Sequence, residues 1–438
     1  MIKKIIKKII PQKTKKISKK HHPLRDEMLS HAAERVIRTL SESGFEAYVV
    51  GGAVRDLLCQ REPKDFDVAT DATPNEVRRL FRRSRIIGRR FPIVHVPIGY
   101  EIIEVTTFRS GDVELHNSEG RIMRDNVYGT RAEDSSRRDF TCNALYYDPL
   151  KEILIDDHNG WKDIQAKKLV MIGDPVARFR EDPVRILRAI RLSAKLGFKM
   201  ADNIQAAITQ CQLLLKNEPI ARLFDEITKE LLCGYSVECL NRLRLSNISD
   251  TIHPLYRSIT LDENSQQWQF LQIVLKNTDQ RVQEDLPISI GFILAAILWQ
   301  DVRQLWQKHK ATGTSPEQSM VDAVKQMRQS METGFGIPNR FISIMREIWA
   351  LQPHLENLRG KRPYRVLRRE YFRSAYDFYV LRTQCNDASA SIADWWKTFQ
   401  AASEHQREEM IQQLNAGKSK PKNKRKRRKK SPKKTDGD

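Results

Sequence analysis

Asp65 and Asp67, in the stretch KDFDVAT, are the side chains of this sequence best placed by type and spacing to do chemistry. On an extended strand, residues two apart face the same side, so both carboxylates point one way and Phe66 points into a core. Two carboxylates on one strand can hold divalent cations about 4 Å apart, the arrangement that drives in-line phosphoryl transfer. Hard oxygen ligands suit Mg²⁺, and Mn²⁺ accepts the same donors. Alone, an Asp-x-Asp pair is more often a surface turn, so its neighbours decide the reading.

Just upstream stands VVGGAVRD. Gly51 and Gly52 let a backbone approach a ligand with no Cβ in the way. Successive N–H groups there, opening a helix, form a nest for an anion, and Arg55 follows on that helix to pair with phosphate. The plain alternative is a tight strand-to-helix turn with no ligand. It loses weight because turn, arginine and carboxylate pair occur together. A third carboxylate is needed as ligand or base. Glu104 in EIIEVTT and Asp139 in RRDFTCNAL are the two candidates, while Glu101 lies beside a turn and reads as surface. Further on, EDPVRILRAIR spaces Arg185, Arg188 and Arg191 along one helical face. Their fixed donor forks suit triphosphates or base edges, where the bland alternative is a solvated charged face.

The elements that position these residues follow from pattern. Residues 26–44 read as an amphipathic helix, Ala47–Val50 and Asp65–Ala69 as strands, and Ala53 as the start of a short helix. Thr73 to Glu76 is a capping box with proline at the first helical position. Ile93–Ile98 and Glu101–Phe108 flank a Gly99-Tyr100 turn and read as a hairpin. Residues 109–130 read as loop, and a second hairpin is expected around Lys151–Ile172. Asp182 reads as the N-cap, and Pro183 as the first residue, of a long helix. From there to residue 415 helical patterns dominate.

At 438 residues the chain exceeds one ordinary core, and 40% hydrophobic residues suffice to fill more than one. The net charge of +21 is concentrated at the ends. Residues 1–22 hold nine lysines and no acid; residues 416–438 hold twelve Lys/Arg against two Asp. The body between is nearly balanced. Such arms fit a polyanion. MIKKIIKKII also carries an isoleucine stripe fit for an anionic membrane surface, or is simply a solvated basic tail. The tail 416–438 is expected to be disordered. Six cysteines show no paired CxxC spacing and read as reduced thiols of a cytoplasmic protein. No run of 18 apolar residues is present, and the N-terminus lacks a signal-peptide core.

GGAVRD with DFD, then RRDFTCNAL, then EDPVRILRAIR resemble the ordered motifs of the class II nucleotidyltransferase superfamily, which contains bacterial poly(A) polymerase and the tRNA CCA-adding enzymes. The resemblance implies an α+β architecture: a small mixed-sheet head of five strands, then an all-α neck and body. The expected segments are a basic arm at 1–24, the head at 25–172, the neck at 173–240, an RNA-binding body at 241–415 and the tail. Carried onto this sequence, Asp65 and Asp67 match the metal-binding pair, and Asp139 the third active-site carboxylate, ranked above Glu104. Gly51, Gly52, Arg55, Arg185 and Arg188 match nucleotide contacts; Arg138 and Asn143 match the sugar and phosphate side. Asp182 and Arg185 match a pair that reads the base edge. Beyond residue 200, PIARLFDEITKELLCGYS, GKRPYRVL and FRSAYDFYVLR resemble the bacterial poly(A) polymerase branch, and no HD-type phosphohydrolase motif is present. The implied activity is untemplated addition of AMP from ATP to RNA 3′ ends, in a process of RNA turnover, by a monomer using Mg²⁺ or Mn²⁺. A CCA-adding enzyme and a non-catalytic RNA-binding protein on the same fold are the alternatives.

Overall fold

The computed structural model describes residues 14–88, 92–110 and 128–416. The isoleucine stripe at 1–10, the tail beyond 416 and most of the expected loop at 109–130 lie outside them.

The head is one mixed sheet. Its strands are β1 (Lys15–Ser18), β2 (Ala47–Val50), β3 (Asp67–Thr70), β4 (Arg85–Ile87), β5 (Ile93–Ile98), β6 (Glu101–Thr107), β7 (Leu145–Asp148) and β8 (Ile153–Asp156). They lie in the order β1-β8-β7-β2-β3-β6-β5-β4. Only β3 and β6 run parallel. Eight strands replace the expected five. One addition is β1, drawn from the segment read as a basic arm. It pairs antiparallel with β8, and Lys19 reaches Glu152 at 2.6 Å across that edge. The second hairpin falls earlier than expected, at β7–β8.

Helix α1 (His31–Glu42) buries Ala32, Ala33, Val36, Ile37 and Leu40, one stripe at helical spacing. Each fully buried large aliphatic there stabilises the fold by about 1.5–3 kcal/mol. Ser30 caps it by accepting from Ala33 N–H, and donates its hydroxyl to Glu101 at 2.6 Å. Glu101 is thus structural, as its place beside the turn suggested. Helix α2 (Gly52–Leu58) follows β2 directly; α3 (Pro74–Leu80) opens on the expected capping box. Helices α4 (Arg131–Arg137) and α5 (Gly160–Gln165) complete the head.

The neck departs from expectation at its start. An additional helix, α6 (Pro175–Glu181), begins on Asp174, whose carboxylate accepts from Ala177 N–H at 2.9 Å. Asp182 ends α6 instead of opening the next helix. α7 (Arg185–Leu196) starts three residues later and stops at Gly197, left-handed at φ 69°. Both Asp-Pro steps carry the same N-cap signal; the first opens a helix and the second sits in a break. Helices α8 (Asp202–Cys211), α9 (Ile220–Leu231) and α10 (Ser236–Leu245) follow. Only two short strands, Lys168–Leu169 and Lys199–Met200, pair outside the head sheet among the described residues.

The chain divides into two compact units. The first holds residues up to 263 with 272–293 and 330–337; the second holds 264–271, 294–329 and 338 onward. Head and neck therefore share one unit. The second unit is helical around Trp349, Trp396, Tyr379, Phe378 and Phe399. Trp396 donates to Leu355 C=O at 2.9 Å, and buried Arg382 is satisfied by Asp387 at 2.8 Å and Gln352 at 2.9 Å. Its buried charge is paired, as burial requires.

Candidate active site

Asp67 is the first residue of β3 and Asp65 lies exposed just before it, with Phe66 buried between them. The strand is two residues shorter at its start than the pattern suggested, but the alternation holds. Asp67 pairs in register with Val50 on one side and Glu104 on the other. Burial first, then the Glu104 and Asp65 carboxylates, push Asp67 up to about 6 against the pull of Arg138. Glu104 in turn lies 3.4 Å from His95 across the β5–β6 pair. The mutual repulsion of these carboxylates outweighs the pull of Arg138 on Asp67, an acidic balance that fits a divalent ion. Among the described residues no three Asp, Glu, His or Cys side chains are gathered into a complete metal shell. A two-carboxylate site for Mg²⁺ leaves its other positions to water and substrate phosphates.

Gly51 caps α2 at φ 70°, ψ −126°, a backbone open to glycine. A Cβ there would stand 3.2 Å from Arg138 Nη1 and 3.9 Å from Asp67 Oδ2. The glycine turn therefore sits directly against the carboxylate strand. Arg138 is aimed there by Tyr146 Oη at 3.0 Å, Asn143 C=O at 3.2 Å and Asp134 at 3.2 Å. Arg55 is buried, and its donors are engaged: Nε to Asp56 Oδ1 at 2.8 Å and Nη1 to Asn143 Oδ1 at 2.7 Å. It backs the glycine turn from inside.

Asp139, expected as the third active-site carboxylate, is engaged through both of its oxygens. Its Oδ1 accepts from Phe140 N–H at 2.8 Å and Asn143 Nδ2 at 3.0 Å; its Oδ2 accepts from Arg188 Nε at 2.8 Å and Nη2 at 2.5 Å. Burial alone would raise this acid. The Arg188 charge and these hydrogen bonds overcome it and hold Asp139 down to about 2. Glu104, not Asp139, is the register neighbour of Asp67. On α7 and before it, Asp182 accepts from Arg222 at 2.8 Å, and Arg185 donates to Glu181 at 2.9 Å. Three residues escaped the sequence reading: Asp134 and Tyr146, which aim Arg138, and Lys195, which donates to Asp56 at 3.0 Å. Lys195 lies seven residues after Arg188, a spacing that puts both on one helical face.

Comparison with known proteins adds what this geometry leaves open. Residues 47–170 match the poly A polymerase head domain, 197–259 the probable RNA and SrmB-binding site of polymerase A, and 312–431 the polymerase A arginine-rich C-terminus. Poly(A) polymerase I of Haemophilus influenzae is 39% identical over 406 residues, covering 90% of each chain. The chain belongs to the bacterial poly(A) polymerase I family. As a member of the poly(A) polymerase I family it is a nucleotidyltransferase, and the resemblance seen in the motifs holds. A CCA-adding enzyme of Lactobacillus helveticus is 40% identical over 196 residues, 44% of this chain and 48% of its own. The fold matches a solved tRNA-processing enzyme in its apo form I, with TM-score 0.60 at 23% identity over 92% of this chain and 99% of that one. Among the described residues no helix is long and apolar enough to cross a membrane, and all six cysteines are free thiols.

Proposed function

We propose that this protein adds AMP from ATP to RNA 3′-hydroxyl ends without a template, releasing pyrophosphate and marking RNA for turnover. The observation that carries the reading is the span of similarity: the poly(A) polymerase I relative is matched along 90% of both chains, and the CCA-adding relative along less than half. The head is common to both activities, so the discrimination between them lies in the neck and body.

Asp65 and Asp67 would hold Mg²⁺, or Mn²⁺, with Glu104 completing the acidic face. A cation there supplies activation of the 3′-hydroxyl and neutralises charge on the triphosphate and the leaving pyrophosphate. The chain's own residues do the rest. Gly51 and Gly52 admit the triphosphate against β3, and Arg138 directs a guanidinium to the same place. Asp139 is a positioning group: it fixes Arg188 and, through Asn143, the Arg55 behind the glycine turn. Asp182 and Arg185 read the base, and a buried hydrogen-bonding pocket rejects wrong bases because mispaired polar groups stay unsatisfied. The basic ends add salt-dependent, sequence-neutral affinity for RNA. In this reading the enzyme acts as a cytoplasmic monomer, and residues 1–10 are the segment fit for an anionic membrane surface.

The test is incubation with Mg²⁺, a generic RNA, a tRNA lacking its 3′ end, and each nucleotide singly or mixed. A long adenylate ladder on generic RNA is expected. Addition of only C, C and A to the tRNA would overturn the reading in favour of CCA addition; no incorporation would favour a binding protein.

A further inference from the structure

Six side chains form an unbroken polar circuit that begins and ends on α7. Lys195 donates to Asp56 Oδ2 at 3.0 Å, and Asp56 Oδ1 accepts from Arg55 Nε at 2.8 Å. Arg55 Nη1 donates to Asn143 Oδ1 at 2.7 Å, Asn143 Nδ2 donates to Asp139 Oδ1 at 3.0 Å, and Asp139 Oδ2 receives Arg188 at 2.8 Å. Arg55, Asp56, Asp139 and Asn143 are each less than a tenth exposed. Arg188 and Lys195 are two turns apart, about 10 Å along the helix axis.

We infer that Lys195 and Asp56 are positioning residues for base selection: they clasp the far end of α7 to the phosphate side of the site and so fix the rotation of the helix that presents Arg185. This rests on the reading of Asp182 and Arg185 as the base-reading pair. Arg61 Nη1 also reaches α7 from the head, donating to the Lys195 C=O at 2.6 Å, but with Arg188 as its one side-chain charge pair to the head the helix could swing about that point. A second charged contact two turns away removes the swing, because the two anchors share one face and a rotation that keeps one breaks the other. Asp56 also divides its two oxygens between Arg55 and Lys195. The residue behind the glycine turn and the helix that reads the base therefore share one carboxylate. Any shift of Arg55 on phosphate binding changes what Asp56 offers Lys195, and by linkage the reverse holds. Lys195 touches neither base nor phosphate in this scheme; it acts through Asp56 and the helix.

The measurement is the ratio of kcat/KM for ATP against CTP in RNA extension, with melting temperature alongside. Lys195→Met should lower that ratio about tenfold, the ordinary size of coupling between sites, and raise KM for ATP more than it lowers kcat. Lys195→Arg, which keeps the charge, should recover most of the preference. Lys195→Gln serves if the Met variant does not fold. Arg242→Met is the control: Arg242 grips the same end of α7 from α10, bonding Ser193 Oγ and, at 3.1 Å, Phe198 C=O. It should lower the melting temperature and leave the ratio alone. An unchanged ratio in Lys195→Met, or an equal fall in Arg242→Met, would overturn the inference. If the wild type extends no RNA, the transfer reading falls; the ratio of ATP to CTP dissociation constants by calorimetry then decides the clasp alone. A wild type with no preference between the two nucleotides overturns it outright.

Discussion

Asp67 and Glu104 are in-register partners on the two parallel strands of the head, β3 and β6. After burial, the Glu104 charge is the strongest influence holding Asp67 up at about 6. Two acids kept side by side, one partly buried and the other with its side chain 46% exposed, cost stability, and such pairs are found where a cation is to be bound.

Asp65→Ala or Asp67→Asn should therefore lower AMP incorporation by roughly a thousandfold, the several kcal/mol that metal stabilisation of the transition state is worth. RNA affinity by fluorescence anisotropy should stay within about twofold, since sequence-neutral affinity rests on phosphate contacts elsewhere. Equal loss of binding and catalysis would point to misfolding or to a wholly different role.

The pH dependence of stability separates Asp67 from Asp139. The folded-state value of Asp67 is raised, so its contribution is most favourable below the unfolded value of about 4 and is lost as pH rises through about 6. Metal-free Asp67→Asn should accordingly be more stable than wild type at pH 7, by on the order of 1–2 kcal/mol after solvent screening, and no more stable at pH 4. Asp139 is depressed to about 2, so its contribution is present above about pH 4 and fades as pH falls toward 2. Denaturant midpoints across pH 3 to 8 check both signs.

Asp139→Asn tests the assignment of the third carboxylate. As a positioning group it should cost about 2 kcal/mol of stability, less than a fully buried pair because the Arg188 side chain is 40% exposed. Incorporation should fall by about ten- to a hundredfold, chiefly through KM for ATP. Glu104→Gln should instead act on kcat and on the Mg²⁺ concentration needed for half activity. A thousandfold kcat loss in Asp139→Asn with normal Mg²⁺ dependence in Glu104→Gln would reverse the two roles.

Gly51→Ala should lose about 1–2 kcal/mol of stability through its left-handed backbone. Its methyl would also press on Arg138, so KM for ATP should rise by more than the fold loosens. A variant with normal KM would show that the turn admits no triphosphate.

Removing metal with EDTA should abolish incorporation, and Mg²⁺ or Mn²⁺ should restore it. Ca²⁺ in their place, which prefers a larger shell, should support binding poorly or unproductively. Truncation after Asn415 should weaken RNA binding most at low salt and flatten its salt dependence, with kcat nearly unchanged.

Much of this site was readable without coordinates because its information is local. The two-residue spacing of Asp65 and Asp67, the glycine turn ahead of Arg55 and the three-residue spacing on α7 each constrain a few neighbouring dihedrals. The order of these motifs along the chain was enough to identify the superfamily. Boundaries were less legible. Asp174-Pro175 and Asp182-Pro183 carry one and the same helix-start signal, and only packing chose the first. Lys15–Ser18 has no alternating pattern; it became a strand because β8 offered a free edge with Glu152 beside it.

The local sequence thus determined the family, and with it the nucleotidyltransferase chemistry, and it nominated the residues proposed to carry that chemistry. Tertiary structure decided which carboxylate faces Asp67, that Arg55 is held from behind and not left open, and that α7 is clasped to the head at both Arg188 and Lys195. Each of these joins residues dozens of positions apart, through strand register and helix packing. Spacing along the chain carries no record of such contacts, because only the folded core brings the partners within reach of a hydrogen bond.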